Sequence, residues 1–276
     1  ALLFFIKTGL WALLAVGGMM LGWVSGITSV LWLWVVANVL VIIAGYLIVV
    51  NVHRGREAGT LATATVWKAG LPFYLGTGLI ALSQYAERFL IIDLEPYASL
   101  GKYVYAWSAA NTLQALSYAV VAVVGIPVLA KRFQADQQAF TVRQLFVNKW
   151  VMRSLAVSAV VAVAIYLFFN VVLVYVAPSV PRPDNAILAV LIFSFALRAI
   201  GDIVWGGLIA SKNSRVSLAS AAICLLVSVP VSYLLIKHYS IYGAAWGNVF
   251  AIIVQLGVIA VLTRVTGVKK AAVSWA

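Results

Sequence analysis

Long apolar runs separated by short polar breaks organise this sequence. A helix needs about 20 apolar residues to cross the hydrocarbon core of a bilayer. Eight runs read as such spans. They are Leu10 to Val24, with Leu2–Ile6 adding a turn, then Ser29–Val50, Trp67–Ile92, Gly101–Ala130, Met152–Ala177, Asn185–Ala210, Val216–Ile236 and Ile241–Thr263. The breaks are short, so successive helices are expected to be antiparallel neighbours. The longest break, Lys131–Lys149, and its end at Trp150 set Phe133, Phe140, Leu145, Phe146 and Trp150 among Gln and Arg. That mixture predicts an amphipathic helix lying in the membrane interface. The expected fold class is all-α, a polytopic transmembrane bundle of about eight helices.

Composition supports this reading. The chain is 64% hydrophobic and only 9% charged, whereas soluble domains carry roughly 25% charged residues. The net charge of +12 is not a nucleic-acid patch, because the basic residues are spread over alternate breaks. Lys7, Arg54, Arg56, Lys68, Lys131, Arg132, Arg143, Lys149, Arg153, Lys212, Arg215, Arg264, Lys269 and Lys270 fall on one side. Lys102, Arg182 and Lys237 fall on the other, beside Asp93 and Glu95. The positive-inside rule then places both termini of the chain in the cytoplasm. Trp11, Trp23, Trp32, Trp34, Trp67, Tyr103, Tyr105, Trp150 and Trp275, near segment ends, read as an aromatic belt at the membrane interfaces.

Soluble-type chemistry finds no foothold. There is one cysteine, Cys224, and the two histidines, His53 and His238, lie beside helix ends. No glycine-rich phosphate loop, G-x-S-x-G or H-E-x-x-H occurs. No enzyme activity, cofactor or metal is expected, and no nucleic-acid partner. The chain opens on Ala-Leu-Leu-Phe-Phe without a methionine, which reads as the later part of a longer protein.

Charges inside the apolar runs are the informative residues. A charge at the membrane centre costs at least about 2.5–3.5 kcal/mol on insertion scales, so it faces a cavity or a partner. Arg198 and Asp202 stand i,i+4 in the sixth run and share a face. Two readings stand: an internal salt bridge, or a cavity-facing cation that binds an anionic group while Asp202 orients it or titrates. Glu87 and Arg88 are sequence neighbours and point about 100° apart, so each needs its own partner. Arg88 either faces a cavity or snorkels to the nearby surface. Gln84 extends their face, and Asn111, Gln114, Asn248, Gln255 and Asn38 add neutral polar groups. Each of these could simply hydrogen-bond across a helix interface. Pro72, Pro127 and Pro230 permit kinks.

A family resemblance rests on several of these residues. Gly70-Leu71-Pro72, Tyr85-Ala86-Glu87-Arg88-Phe89-Leu90-Ile91, Leu100-Gly101-Lys102-Tyr103 and Pro127-x-Leu129-x-Lys131 resemble the seventh and eighth helices of polysaccharide flippases of the Wzx type. These belong to the multidrug/oligosaccharidyl-lipid/polysaccharide exporter superfamily. Arg198 with Asp202, and Ser211-Lys212-Asn213, look like that family's tenth helix and following loop. Family members often carry Asp-Arg where this chain has Glu87-Arg88.

The resemblance implies a two-bundle exporter fold of twelve to fourteen helices. Residues 1–66 would then be a hairpin of an incomplete N-terminal bundle, and residues 67–276 a C-terminal six-helix bundle. It also implies flipping of undecaprenyl-diphosphate-linked oligosaccharide units from the inner to the outer leaflet of a bacterial cytoplasmic membrane. Such flipping serves surface polysaccharides such as O-antigen in lipopolysaccharide. Arg88, Arg198, Gln84 and Asn111 would bind the head group, and Glu87 and Asp202 would couple an ion or orient an arginine. The implied partners are the lipid-linked oligosaccharide, membrane lipid, and the polysaccharide polymerase with other assembly proteins. The alternatives are a drug or cation exporter or a peptidoglycan-precursor flippase of the same superfamily. From other classes come a membrane-embedded glycosyl- or acyltransferase and a purely structural membrane subunit.

Overall fold

The computed structural model describes residues 14, 17–18, 21–23, 27–53, 63–120, 127–129, 131, 149–176 and 182–265. The expected interfacial helix between Lys131 and Lys149, and most of the first run, lie outside them. Among the described residues every regular element is helical: α1 (Ile27–His53), α2 (Thr63–Leu94), α3 (Tyr97–Val120), α4 (Lys149–Leu167), a π-turn (Phe168–Val172), α5 (Leu173–Val176), α6 (Asn185–Ala210) and α7 (Ser214–Val265). The all-α expectation therefore holds. The chain divides into two compact units, Ala1–Thr65 and Val66–Ala276.

Three helical stretches among the described residues are long and apolar enough to cross a membrane: Val151–Val176, Asn185–Ala210 and Ser214–Arg264. They mark the chain as a membrane protein. Thr28–Ala44 is a shorter apolar helix of the same character. The 32 residues of α2 and the 24 of α3 are long but more polar, because they carry Gln84, Glu87, Arg88, Asn111 and Gln114.

The helix α7 is two helices run together. Its backbone leaves helical values at Ser240 (φ 54°, ψ −139°). Past that residue the chain folds back on itself. Cys224 Sγ donates to the Ala251 carbonyl at 3.3 Å, and Gly247 lies against the Ser232 side chain. The two arms are therefore antiparallel and correspond to the seventh and eighth apolar runs. Close approach needs the missing side chains, since a Cβ at Gly243 would fall on the Leu235 carbonyl.

The unit Val66–Ala276 is built round α6, which packs against α3, α4 and α7. Among the described residues its buried apolar side chains form two cores. Leu188, Leu191 and Phe195 join Ile91, Tyr103, Trp107, Leu113, Ala162 and Ile236. Ile203, Val204 and Leu208 join Leu129, Val151, Val216 and Ile259. Between these two cores α6 carries Arg198 and Asp202, about 20 and 26 Å from its first residue at 1.5 Å per residue. The polar layer is thus enclosed between two apolar ones.

The ends of α6 are fixed by local chemistry. At its start Asp184 Oδ1 accepts from the backbone N–H groups of Ala186 and Ile187, at 3.0 and 3.1 Å. Its Oδ2 accepts from the Tyr242 hydroxyl at 2.9 Å. At the other end Lys212 takes a left-handed conformation (φ 58°), and Asn213 N–H returns to the Leu208 carbonyl at 2.9 Å. That closure satisfies carbonyls the helix would leave open.

The cap makes a pH-dependent prediction. The Asp184 carboxyl is held below its usual range, first by the Ile187 N–H and further by Tyr242, Ala186 and Lys102, against a smaller opposing effect of burial. A depressed pKa gives stability that is present above the unfolded value of about 3.9 and is lost as pH falls through the folded value. Asp184→Ala is expected to cost about 1 kcal/mol at neutral pH, the usual worth of such a cap. Thermal unfolding in detergent checks it: the Tm gap between wild type and variant narrows as pH is lowered towards 3.

Candidate functional site

Polar side chains from α2, α3, α6 and the second arm of α7 line a cavity of about 350 Å³. Gln84 comes from α2, Asn111 and Gln114 from α3, Arg198 and Asp202 from α6, and Gln255 from α7. Thr77 and Trp205 complete the parts of the wall that can bind polar or planar groups. Four helices of a membrane protein turning amides and charges to one space is costly unless that space is wet or occupied. The helices accept this because each keeps its apolar residues for the two cores and for the outside.

Arg198 is the strongest charge in the wall. It is buried, with 6% of its surface exposed. Its Nη2 donates to Asn248 Oδ1 at 3.1 Å, and the guanidinium lies 5.5 Å from the Phe195 ring centre. Its Nε and Nη1 are buried and find no hydrogen-bond partner among the described residues. Asp202 is the carboxylate that acts most strongly on its charge, followed by Glu87. Unsatisfied guanidinium N–H groups are expensive to bury, and a phosphate-type oxygen satisfies two of them at once.

Glu87 stands one hydrogen bond behind the wall. It is 2% exposed. Its Oε2 accepts from the Tyr103 hydroxyl and from Asn248 Nδ2, each at 3.0 Å. Asn248 Oδ1 also accepts from Ser194 Oγ at 2.9 Å. Asn248 therefore bridges Glu87 of α2 to Arg198 of α6, with its amide orientation set by donors on one side and an acceptor on the other.

The structure sorts the residues singled out in the sequence. Gln84, Asn111, Gln114, Arg198, Asp202 and Gln255 share one cavity. Glu87 lies behind it, and Asn248 binds the buried charges on both sides. Arg88 is not among the lining residues. Its guanidinium lies over Trp107 and Tyr85, 4.0 and 4.6 Å from the ring centres, an arrangement that holds a cation among aromatics. Among the described residues Asn38 bonds its own helix, at the Trp34 carbonyl. Tyr103 differs from its reading as a belt residue. It is fully buried, because its hydroxyl is consumed by Glu87 rather than by the interface. Ser194 and Trp205 carried no signal in the sequence, since a serine or tryptophan in an apolar run is ordinary.

Among the described residues no group of three or more acidic, histidine or cysteine side chains could hold a metal ion. Comparison with family models, with characterised proteins and with solved structures finds no match.

Proposed function

We propose that this chain forms part of a flippase that moves undecaprenyl-diphosphate-linked oligosaccharides from the inner to the outer leaflet of a bacterial cytoplasmic membrane. It would contribute about eight spans, both its termini cytoplasmic, to a two-bundle exporter. The observation that carries this reading is Arg198, buried at the wall of a polar cavity with Nε and Nη1 unpartnered by hydrogen bonds. A diphosphate supplies the oxygens those groups lack. Gln84, Asn111, Gln114 and Gln255 supply amides that can both donate to and accept from sugar hydroxyls. The lipid tail can stay in the bilayer while the head group crosses. Alternating access around a site near the membrane midplane is the general transporter mechanism.

A drug or cation exporter is the second reading, favoured by Asp202 and Trp205 in the same wall. A carboxylate and an aromatic face attract a cation, whereas Arg198 repels one. Reconstitution of the full reading frame in liposomes separates the two. Transfer of a fluorescent lipid-linked oligosaccharide diphosphate between leaflets, without transfer of a lipophilic dye cation, is the expected result. Dye transport alone would overturn the flippase reading.

A further inference from the structure

Arg198 and Trp205 both line the cavity, seven residues apart on α6. Seven residues make almost two whole turns, so the two side chains share a helix face about 10 Å apart along the axis. The cavity therefore has two ends, and the arginine occupies one of them.

The neighbouring helices turn uncharged groups to the second end. α2 runs antiparallel to α6: its Glu87 reaches Asn248 beside Arg198, whereas a Cβ on its Gly76 would stand 3.2 Å from Trp205 Cη2. Thr77 thus lies at the tryptophan's end. The second arm of α7 runs with α6, since Tyr242 bonds Asp184 and Asn248 bonds Arg198. Gln255, two turns past Asn248, lies toward that same end. Trp205 itself is half-buried. It packs against the second apolar core while lining the cavity.

We propose that this end is a sugar subsite: a pyranose ring of the head group lies on the Trp205 indole, with hydroxyls bonded to Gln255 and Thr77, while Arg198 holds the phosphate. The inference rests on the flippase reading above and adds which part of the substrate each end takes.

The chemistry of the two partners matches. A pyranose has a face of slightly positive C–H groups and a rim of hydroxyls. The negative face of an indole suits the first. A carboxamide, which both donates and accepts, suits the second. The Thr77 hydroxyl gives its proton to the Phe73 carbonyl at 2.9 Å, so it is left as an acceptor. Gly76 sets the platform. Without a side chain there, α2 closes on the tip of the ring and on Ser217 Oγ, which limits how far the indole can tilt. The cavity of about 350 Å³ falls at the small end of ligand sites, about 300–1,000 Å³, so it takes a phosphate and an adjoining ring together.

The test uses the full chain in lipid nanodiscs and two short-chain probes of equal charge. One is the methyl ester of geranyl diphosphate, and the other carries N-acetylglucosamine in place of the methyl group. Calorimetry gives both affinities, and their ratio reads the contribution of the sugar. The wild type is expected to bind the glycosylated probe about tenfold more tightly, the combined worth of a ring contact and one or two neutral hydrogen bonds. Trp205→Leu is expected to bring the two affinities together, and Trp205→Phe to keep most of the gap. Gln255→Leu is expected to narrow the ratio to about threefold by removing one such bond. Arg198→Gln is expected to weaken both probes and leave the ratio standing. A tenfold ratio that survives Trp205→Leu overturns the sugar subsite and leaves the flippase reading in place. So does a ratio of one in the wild type when both probes need Arg198. If Trp205→Leu fails to insert, Gln255→Leu decides, and an unchanged ratio there overturns the subsite. Binding of neither probe that depends on Arg198 overturns both readings.

Discussion

Arg198→Gln is expected to lower the affinity for a diphosphate head group by about 10- to 150-fold. That range is the worth of hydrogen bonds to a charged group, about 1.5–3 kcal/mol, at 1.4 kcal/mol per factor of ten. Arg198→Lys is expected to fall between the two. It keeps the charge but replaces a planar fork with a single ammonium centre, so it cannot both hold Asn248 and offer two parallel donors to one phosphate. Substrate titration in proteoliposomes gives the ranking. Equal affinity in all three proteins would remove Arg198 from the site. Insertion and folding are monitored by detergent-extracted monodispersity. Ser194 retains its bond to Asn248 Oδ1, so that oxygen stays partnered in the glutamine variant.

Gly243→Ala is expected to be the most damaging small substitution. The added Cβ meets the backbone carbonyl of Leu235 in the facing arm of α7. A side chain could rotate away, but a carbonyl in a helix cannot. Overpacking costs about 1–3 kcal/mol where side chains can adjust, so this case belongs at or beyond the upper end. Gly257→Ala is the matched control. It lies on the same arm, is exposed, and a Cβ there meets nothing within 4 Å. Alanine is about 0.8–1 kcal/mol better than glycine in a helix interior, so that variant is expected to be at least as stable as wild type. Thermal unfolding in detergent separates the pair by Tm. A Gly243→Ala protein as stable as Gly257→Ala would contradict the tight hairpin.

How much of this could be read from the sequence depends on the distance over which each feature acts. The run Asn185–Ala210 is the same in sequence and structure, because an apolar stretch between a capping aspartate and Ser211-Lys212-Asn213 is bounded by local signals. The cavity residues were legible one by one, since each amide or charge in an apolar run needs a reason. Their meeting was legible only for Arg198 and Asp202, which share a helix face. The Glu87–Asn248–Arg198 bridge was not, because its members are 161 and 50 residues apart and no periodicity connects them. Tyr103 was misplaced for a related reason. Proximity to a helix end suggests an interface, but only the packed structure brings Glu87 opposite its hydroxyl. The division of α7 at Lys237–Ser240 was expected as a short loop. A single non-helical residue carries it instead.

That single residue has a consequence for how the protein is made. The arms of α7 are joined at one non-helical residue, Ser240, so closing them on each other costs little chain entropy. Contacts such as Cys224 with Ala251 and Gly247 with Ser232 therefore join residues close along the chain, the kind that form early in folding. Lys237, His238 and Tyr239 ride at the tip of that pair and are exposed. The hairpin therefore ends in a polar apex rather than a bare apolar one.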